Sequence, residues 1–405
     1  MKKSFNIIRK AAMALLLSVC VFPLASCGDD TPDYEPETAE QTIIMYFPWA
    51  GGGSIYSCIK DNISAFEGAV KDNNGLDGRR IMVFISQNSN QSCLINIDYK
   101  NGKCVRDTLK YYDFGAPDYT TPAGITDILN DIKQVAPANA YSMIIGAHGL
   151  GWLPKNSNTA RRMAVYKNIV APMLQTRYFG NPSSTAYQTD VTDLAAGIKG
   201  AGLKMKYILF DDCYMSNIET AYDLKDATDF LIASTSEVML EGFPYGVIGK
   251  AALHNDYKGI CDGFYNYYSN HQSSPYGTIG ITDCSKVEEM AVIMKQINTQ
   301  YPDGVSSIGS IQKLDGYYPA IFYDFGDYVD KLCEDENLKQ AFNNCMDRLV
   351  PYKAHTDEYY TDLLMGGHTF RIETYSGITV SDPSVNTEFG VKTSKTTTAW
   401  YKATH

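Results

Sequence analysis

Beyond its first 27 residues the chain has no apolar run long enough to span a bilayer, which excludes a membrane-embedded bundle of helices. It also lacks a basic stripe. Lys and Arg number 35 against 46 Asp and Glu, the formal net charge is −11, and the best basic candidate is the pair Arg161-Arg162. A body this acidic does not hold phosphate backbones, so nucleic acid is excluded as a partner. No CxxC pair and no Cys/His cluster has metal-ligand spacing, so the sequence offers no metal site and no cofactor motif. Internal repeats are absent too. What is present is ordinary globular material: 405 residues, 44% hydrophobic and 20% charged, enough for a large buried core.

The N-terminus is a targeting segment and is set aside from the fold. Residues 1–26 carry Lys2, Lys3, Arg9 and Lys10 with no acid, and Ala11–Leu24 is an apolar stretch short for a membrane span. Removing them leaves a net charge of −15. Leu24-Ala25-Ser26-Cys27 resembles a bacterial lipobox, in which Cys27 becomes the acylated N-terminus. Residues 27–40, rich in Asp, Glu, Pro and Thr, form a solvated tether. An exported protein anchored by lipid on Cys27 is therefore expected, with the outer membrane or cell surface favoured.

Eight cysteines remain once Cys20 and Cys27 are assigned to that segment. Export permits disulfides, and Cys93 and Cys104 look like a pair. Asn101-Gly102 between them predicts a two-residue hairpin turn. That register sets Tyr99 opposite Cys104 and Lys110 opposite Cys93, too far out of step for a bridge.

Residues 41–250 alternate short apolar runs with amphipathic segments. Thr42–Phe47, Arg80–Ser86, Tyr141–Ile145, Tyr207–Phe210 and Phe230–Ala233 suit buried parallel strands. Ile55, Ile59, Ile63, Phe66 and Val70 share one helical face, and so do Ile125, Ile128, Leu129 and Ile132 behind the start signal Thr121-Pro122. This pattern predicts a three-layer α/β/α sandwich with a mostly parallel central sheet. Residues 153–188 form a long polar segment with five basic residues, either functional or mobile. Residues 251–405 are mixed and Tyr-rich, with helices near Val287–Ile297 and Phe322–Leu332 and a closing β segment over Thr369–Val380. They form a mixed α+β C-terminal part of the same domain or a closely packed extension.

In open α/β sheets, sites form beyond the carboxyl ends of the strands. His148 follows one apolar strand and Cys213 another. If those strands are neighbours, a sulfur nucleophile and a proton-transfer group share one crevice. Cys213 also stands where a helix is expected to open, which favours thiolate, while Asp211 and Asp212 oppose it. The plainer alternatives are a packed cysteine and a loop histidine. Among the other histidines His368, after Gly366-Gly367, is the rival.

The segments around these residues carry a resemblance. Tyr141–Trp152 (YSMIIGAHGLGW) is similar to the His-Gly-x-Gly-Trp segment of clostripain-type cysteine peptidases, in the caspase-like group. Ile208–Glu219 (ILFDDCYMSNIE) resembles that family's Phe-Asp-x-Cys-x-Met segment with its downstream Glu, and Ala233–Glu237 with Gly242–Tyr245 resembles a block lining the substrate cleft. The resemblance implies a caspase-like fold and an endopeptidase acting after Arg or Lys, with Cys213 as nucleophile and His148 as catalytic histidine. It implies an oxyanion hole from the N–H groups of Gly149 and Cys213, and a substrate pocket with Asp211, Glu237 and Trp152. Asp211 is either the pocket acid or a cap for the following helix. Relatives are often cut between the two catalytic positions, which points to Arg161-Arg162 as a self-cleavage site. Some use calcium, but no ligands are identifiable here. Asp212 departs from the small residue usual before the nucleophile. A monomer acting on peptide or protein substrates is expected. The alternatives are a transpeptidase of the same fold and a catalytically silent surface lipoprotein.

Overall fold

The first apolar run becomes β1 (Gln41–Phe47), buried along its whole length. Parallel neighbours on both sides explain the unbroken apolar run: β1 pairs with β2 (Arg79–Asn88) and with β5 (Tyr141–Gly146). β5 in turn pairs in parallel with β6 (Met205–Asp211), and β6 with β7 (Thr228–Ala233). Antiparallel strands extend both edges, β3 (Gln91–Lys100) and β4 (Lys103–Tyr112) on one side, β8 (Thr278–Asp283) and β10 (Tyr352–His355) on the other. The nine-stranded order is β10-β8-β7-β6-β5-β1-β2-β3-β4. The computed structural model describes residues 36–48, 54–88, 91–113, 118–155, 185–363, 367–387 and 390–405.

Successive side chains of a strand point to opposite faces, and β1 shows the consequence. Ile43, Met45 and Phe47 enter one core, Ile44 and Tyr46 the other. The first face is covered by α1 (Ser54–Asp72), α5 (Tyr245–Leu253) and α6 (Tyr257–Ser269). The second is covered by α2 (Pro122–Val135), α3 (Val191–Gly200), α4 (Ile218–Leu224) and α7 (Val287–Gln300), joined by α8 (Phe325–Leu332) and α9 (Glu336–Leu349). The result is the three-layer α/β/α sandwich expected, parallel through its five central strands. Glu37–His405 form one compact unit, and β8 and β10 beyond residue 250 complete its sheet. Among the described residues no helix is long and apolar enough to cross a membrane.

Local chemistry sets several boundaries. Thr121 accepts from Gly124 N at 3.2 Å with Pro122 in the first turn of α2, as the start signal predicts. The β3–β4 turn places Asn101 and Gly102 at φ 53° and 78°, a conformation that suits this pair. Tyr99 does face Cys104, but a bulge at Leu94/Ile95 slips the register by one, so Cys93 faces Tyr111 rather than Lys110. Both cysteines are free thiols. The late elements differ from expectation. The helix expected from Phe322 starts at Phe325, because Asp324 accepts from Asp327 N at 2.9 Å and caps it. Tyr323–Asp324 (β9) pairs instead with Thr379–Val380 (β13). The closing β segment is therefore split, its first part being β12 (His368–Arg371), paired with β11 (Glu358–Thr361). Short helices α10 (Val391–Ser394) and α11 (Ala399–Thr404) end the chain, and Trp400 of α11 is fully buried.

Candidate active site

The site lies where β5 and β6 end side by side. Their parallel pairing runs to Gly146 opposite Asp211, and each chain then continues two residues to His148 and Cys213. One residue past the last pair the strands are still joined, because Ala147 N donates to Asp212 Oδ1 at 2.5 Å. Gly149 lies directly on the Cys213 loop. A Cβ there would stand 2.4 Å from the Cys213 carbonyl oxygen and 2.8 Å from the Cys213 nitrogen, so no larger residue fits. His148 and Cys213 are buried, at 6% and 1% exposure.

The turn Cys213–Asn217 is built for this position rather than for a helix. Tyr214 takes φ 62°, uncommon for a non-glycine residue. Its ring stacks on Phe322 at 5.1 Å between centroids. Tyr214 N donates to Ser236 O at 3.0 Å and Ser216 N to Ser234 O at 2.9 Å, fastening the turn to the segment after β7. That same segment reaches the sulfur: Val238 N donates to Cys213 Sγ at 3.3 Å. The helix expected to open at Cys213 begins five residues later, at Ile218, with Asn217 as N-cap accepting from Thr220 N at 2.7 Å. The helix-terminus argument for a thiolate therefore does not apply to Cys213.

Asp211 is not that helix's cap, since Asn217 is. Its fully buried carboxylate accepts from Phe243 N at 2.9 Å, Tyr245 Oη at 3.0 Å and Asn62 Nδ2 at 3.2 Å. It thereby holds the Phe243–Tyr245 block beneath the cysteine loop. Asp212, the departure from the family pattern, has its own task, tying the cysteine strand to the histidine strand through Ala147 N. Glu237 turns its carboxylate toward the C-terminal part, accepting from Tyr214 Oη at 2.7 Å and Thr361 Oγ1 at 2.5 Å. Trp152 is buried, and its Nε1 donates to Ser381 Oγ at 2.8 Å. The rival histidine His368 lies exposed in β12 opposite Thr361. Cys27, Arg161 and Arg162 lie outside the described residues. Among the described residues no group of three or more His, Cys, Asp or Glu is placed to hold a metal ion.

Sequence reasoning missed Val238, Asn62 and Ser381, which carry no chemistry legible without the fold. It also missed Glu241, the exposed carboxylate on the turn closed by Gly242 N and Met239 O, between the contacts to Cys213 and Asp211. Its nearness to the cleft-lining block was the available signal.

A sandwich that brings a cysteine and a histidine to adjacent strand ends, beside a glycine pressed on the cysteine backbone, has the layout of a thiol hydrolase. The clostripain family model (peptidase family C11) matches residues 49–365. The chain belongs to the clostripain family of cysteine peptidases. A secreted C11 cysteine protease from Bacteroides thetaiotaomicron, "iotapain", is 48% identical, with 91% of this chain and all of that chain covered and a TM-score of 0.80. A clostripain from the same organism, solved with the peptide inhibitor BTN-VLTK-AOMK, is 54% identical over 56% of this chain and 99% of that one, with a TM-score of 0.52. An inactive zymogen C11 protease from Parabacteroides distasonis shares the fold at 24% identity, covering 91% of this chain and 99% of that chain, with a TM-score of 0.74. No curated protein matches the chain.

Proposed function

We propose that the protein is an exported, lipid-anchored endopeptidase that cleaves after Lys or Arg through Cys213 and His148. The observation that carries this reading is the β5–β6 register, which delivers both residues and Gly149 to one strand edge. Cys213 Sγ attacks the scissile carbonyl carbon as a thiolate, with its proton held by His148. The oxyanion that forms is received by the N–H groups of Gly149 and Cys213. His148 gives the proton to the departing amine, leaving a thioester on Cys213. A water, deprotonated by His148, then attacks the thioester, releasing the acid and restoring the thiol.

Basic specificity is supported by Glu241, exposed on the turn beside the Phe243–Tyr245 block that the Asp211 carboxylate holds in place. The inhibitor peptide held by the 54%-identical clostripain also ends in lysine. A charged partner for such a carboxylate makes a stronger bond than a neutral one. Export is supported by the N-terminal segment and by the secreted relative.

The test is hydrolysis of peptidyl-lysine and peptidyl-norleucine amides, with labelling by a thiol-directed peptidyl-lysine electrophile. Cys213→Ala abolishes turnover and labelling with the fold intact, and His148→Ala abolishes turnover. Asp211→Asn reduces kcat/KM for lysine at least about tenfold more than for norleucine, a difference of ~1.4 kcal/mol. Wild-type turnover in Cys213→Ala rejects the nucleophile. Equal losses on the two substrates leave Asp211 as a purely structural anchor.

A further inference from the structure

We infer that the C-terminal segment Gly377–Ser381 is the scaffold that positions both catalytic loops, with Ser381 and Glu219 as positioning residues for Trp152. The inference rests on the reading of Cys213 and His148 above and adds to it a set of groups from a distant part of the chain.

Trp152 stands four residues after His148 on the same loop. A buried indole N–H needs an acceptor, and the acceptor here is Ser381 Oγ at 2.8 Å, 229 residues away in sequence. Ser381 is itself held by its backbone: Ser381 N donates to Glu219 Oε1 at 2.7 Å. Both Ser381 and Glu219 are buried, at 0% and 1% exposure. Glu219 belongs to the first turn of α4, directly after the turn that carries Cys213. One relay therefore runs from the cysteine side of the site, through Glu219 and Ser381, to the histidine side at Trp152.

The same segment grips the cysteine turn a second time. Ser216 Oγ donates to Gly377 O at 2.9 Å, and Thr379 N donates to Ser216 O at 3.0 Å. Between the two loops the packing leaves no slack. Gly151 takes φ 60°, and a Cβ on it would fall 2.8 Å from Phe322 Cζ and 2.9 Å from Asn217 Nδ2. Asn217 Nδ2 in turn donates to Tyr214 O at 2.7 Å. Downstream, Lys395 Nζ donates to the carbonyl oxygens of Asp382 and Ser384, clamping the chain that follows Ser381. Loss of the Ser381 hydroxyl leaves the buried indole N–H without this acceptor and displaces the loop that carries it, and a shift of this kind near reacting atoms lowers rate well beyond its distance.

The experiment measures kcat and KM on a peptidyl-lysine amide, with thermal melting and the NMR signal of the Trp152 indole N–H as readouts independent of turnover. Ser381→Ala and Trp152→Phe each lower kcat/KM about tenfold, and the double variant loses no more than either alone. Glu219→Ala matches Ser381→Ala, whereas Glu219→Gln, whose amide oxygen still accepts from Ser381 N, recovers most of the loss. In Ser381→Ala the indole signal shifts and loses its protection from exchange. Multiplicative losses in the double variant, or Glu219→Gln as damaging as Glu219→Ala, overturn the inference. Should Ser381→Ala fail to fold, Trp152→Phe decides, because wild-type kcat/KM in that variant also overturns it. Cys213→Ala keeps the two readings apart. Turnover surviving in it rejects the nucleophile whatever Ser381 does, while an inactive Cys213→Ala beside unimpaired Ser381 and Trp152 variants rejects the scaffold alone.

Discussion

Single carboxylates in this molecule are distinguished by what surrounds them. Asp211, Asp212 and Glu219 lie within nine positions of sequence, and all three are buried. The first two accept well-placed donors close to the cysteine. Glu219 accepts from Ser381 N, while its other oxygen has no hydrogen-bond partner among the described residues. Burial first, and then the neighbouring Asp382, push its carboxyl up to about 8 from an ordinary 4.5, with Lys395 opposing. Asp382 is pushed in the same direction by its own burial. The folded state therefore keeps a proton on Glu219 that the unfolded chain has released. Stability from this group is full below about pH 4.5, falls as pH rises, and is gone above about pH 8, by up to about 1.4 kcal/mol per pH unit between. Thermal melts from pH 5 to 8 should show a decline in wild type that flattens in Glu219→Gln. Parallel slopes in the two proteins would assign the proton elsewhere.

Among the elements, the connection between β5 and β6 joins the two halves of the site. Its described ends are held together: Lys155 N donates to Asp190 Oδ1 at 2.7 Å, and Lys155 Nζ pairs with Asp193 at 2.7 Å. The strands it links are hydrogen-bonded to each other in the centre of the sheet. A cut at Arg161-Arg162 therefore separates no paired strands. Purified wild type is expected to convert to two fragments that elute together, whereas Cys213→Ala stays intact. Equal cutting of both would identify an outside protease. The basic preference proposed above would supply the chemistry for this cut.

For the whole molecule, the question is where the acidic body is held. The folded unit begins at Glu37, ten residues after Cys27. If Cys27 carries the lipid, only ten residues separate the anchor from the acidic body, which anionic headgroups repel. Cys27→Ser should move the protein from the membrane fraction to the soluble exported fraction without changing kcat/KM on a small peptide. Retention in the membrane fraction would require another anchor.

Much of this protein is legible along the chain because local patterns have local causes. Apolar runs such as Thr42–Phe47 are buried on both faces, so their period and length announce parallel strands, and turn residues such as Asn101-Gly102 demand a backbone few others adopt. The placement of His148 and Cys213 just past two strand ends was legible by the same logic, and the structure adds that those strands are neighbours. The start of α4 at Ile218 rather than Cys213 was decided by Asn217, whose side chain was free to cap once the cysteine turn had been pinned to Ser234 and Ser236. The bulge at Leu94/Ile95 and the division of the closing β segment likewise depend on packing that no period records. The bond from Trp152 to Ser381 lay furthest from view. A single hydrogen bond between residues 229 apart leaves no repeat and no spacing in the sequence, and it exists because β13, paired with β9 and bridged at Thr379 to Asn217, brings the C-terminal segment back to the turn that follows β6.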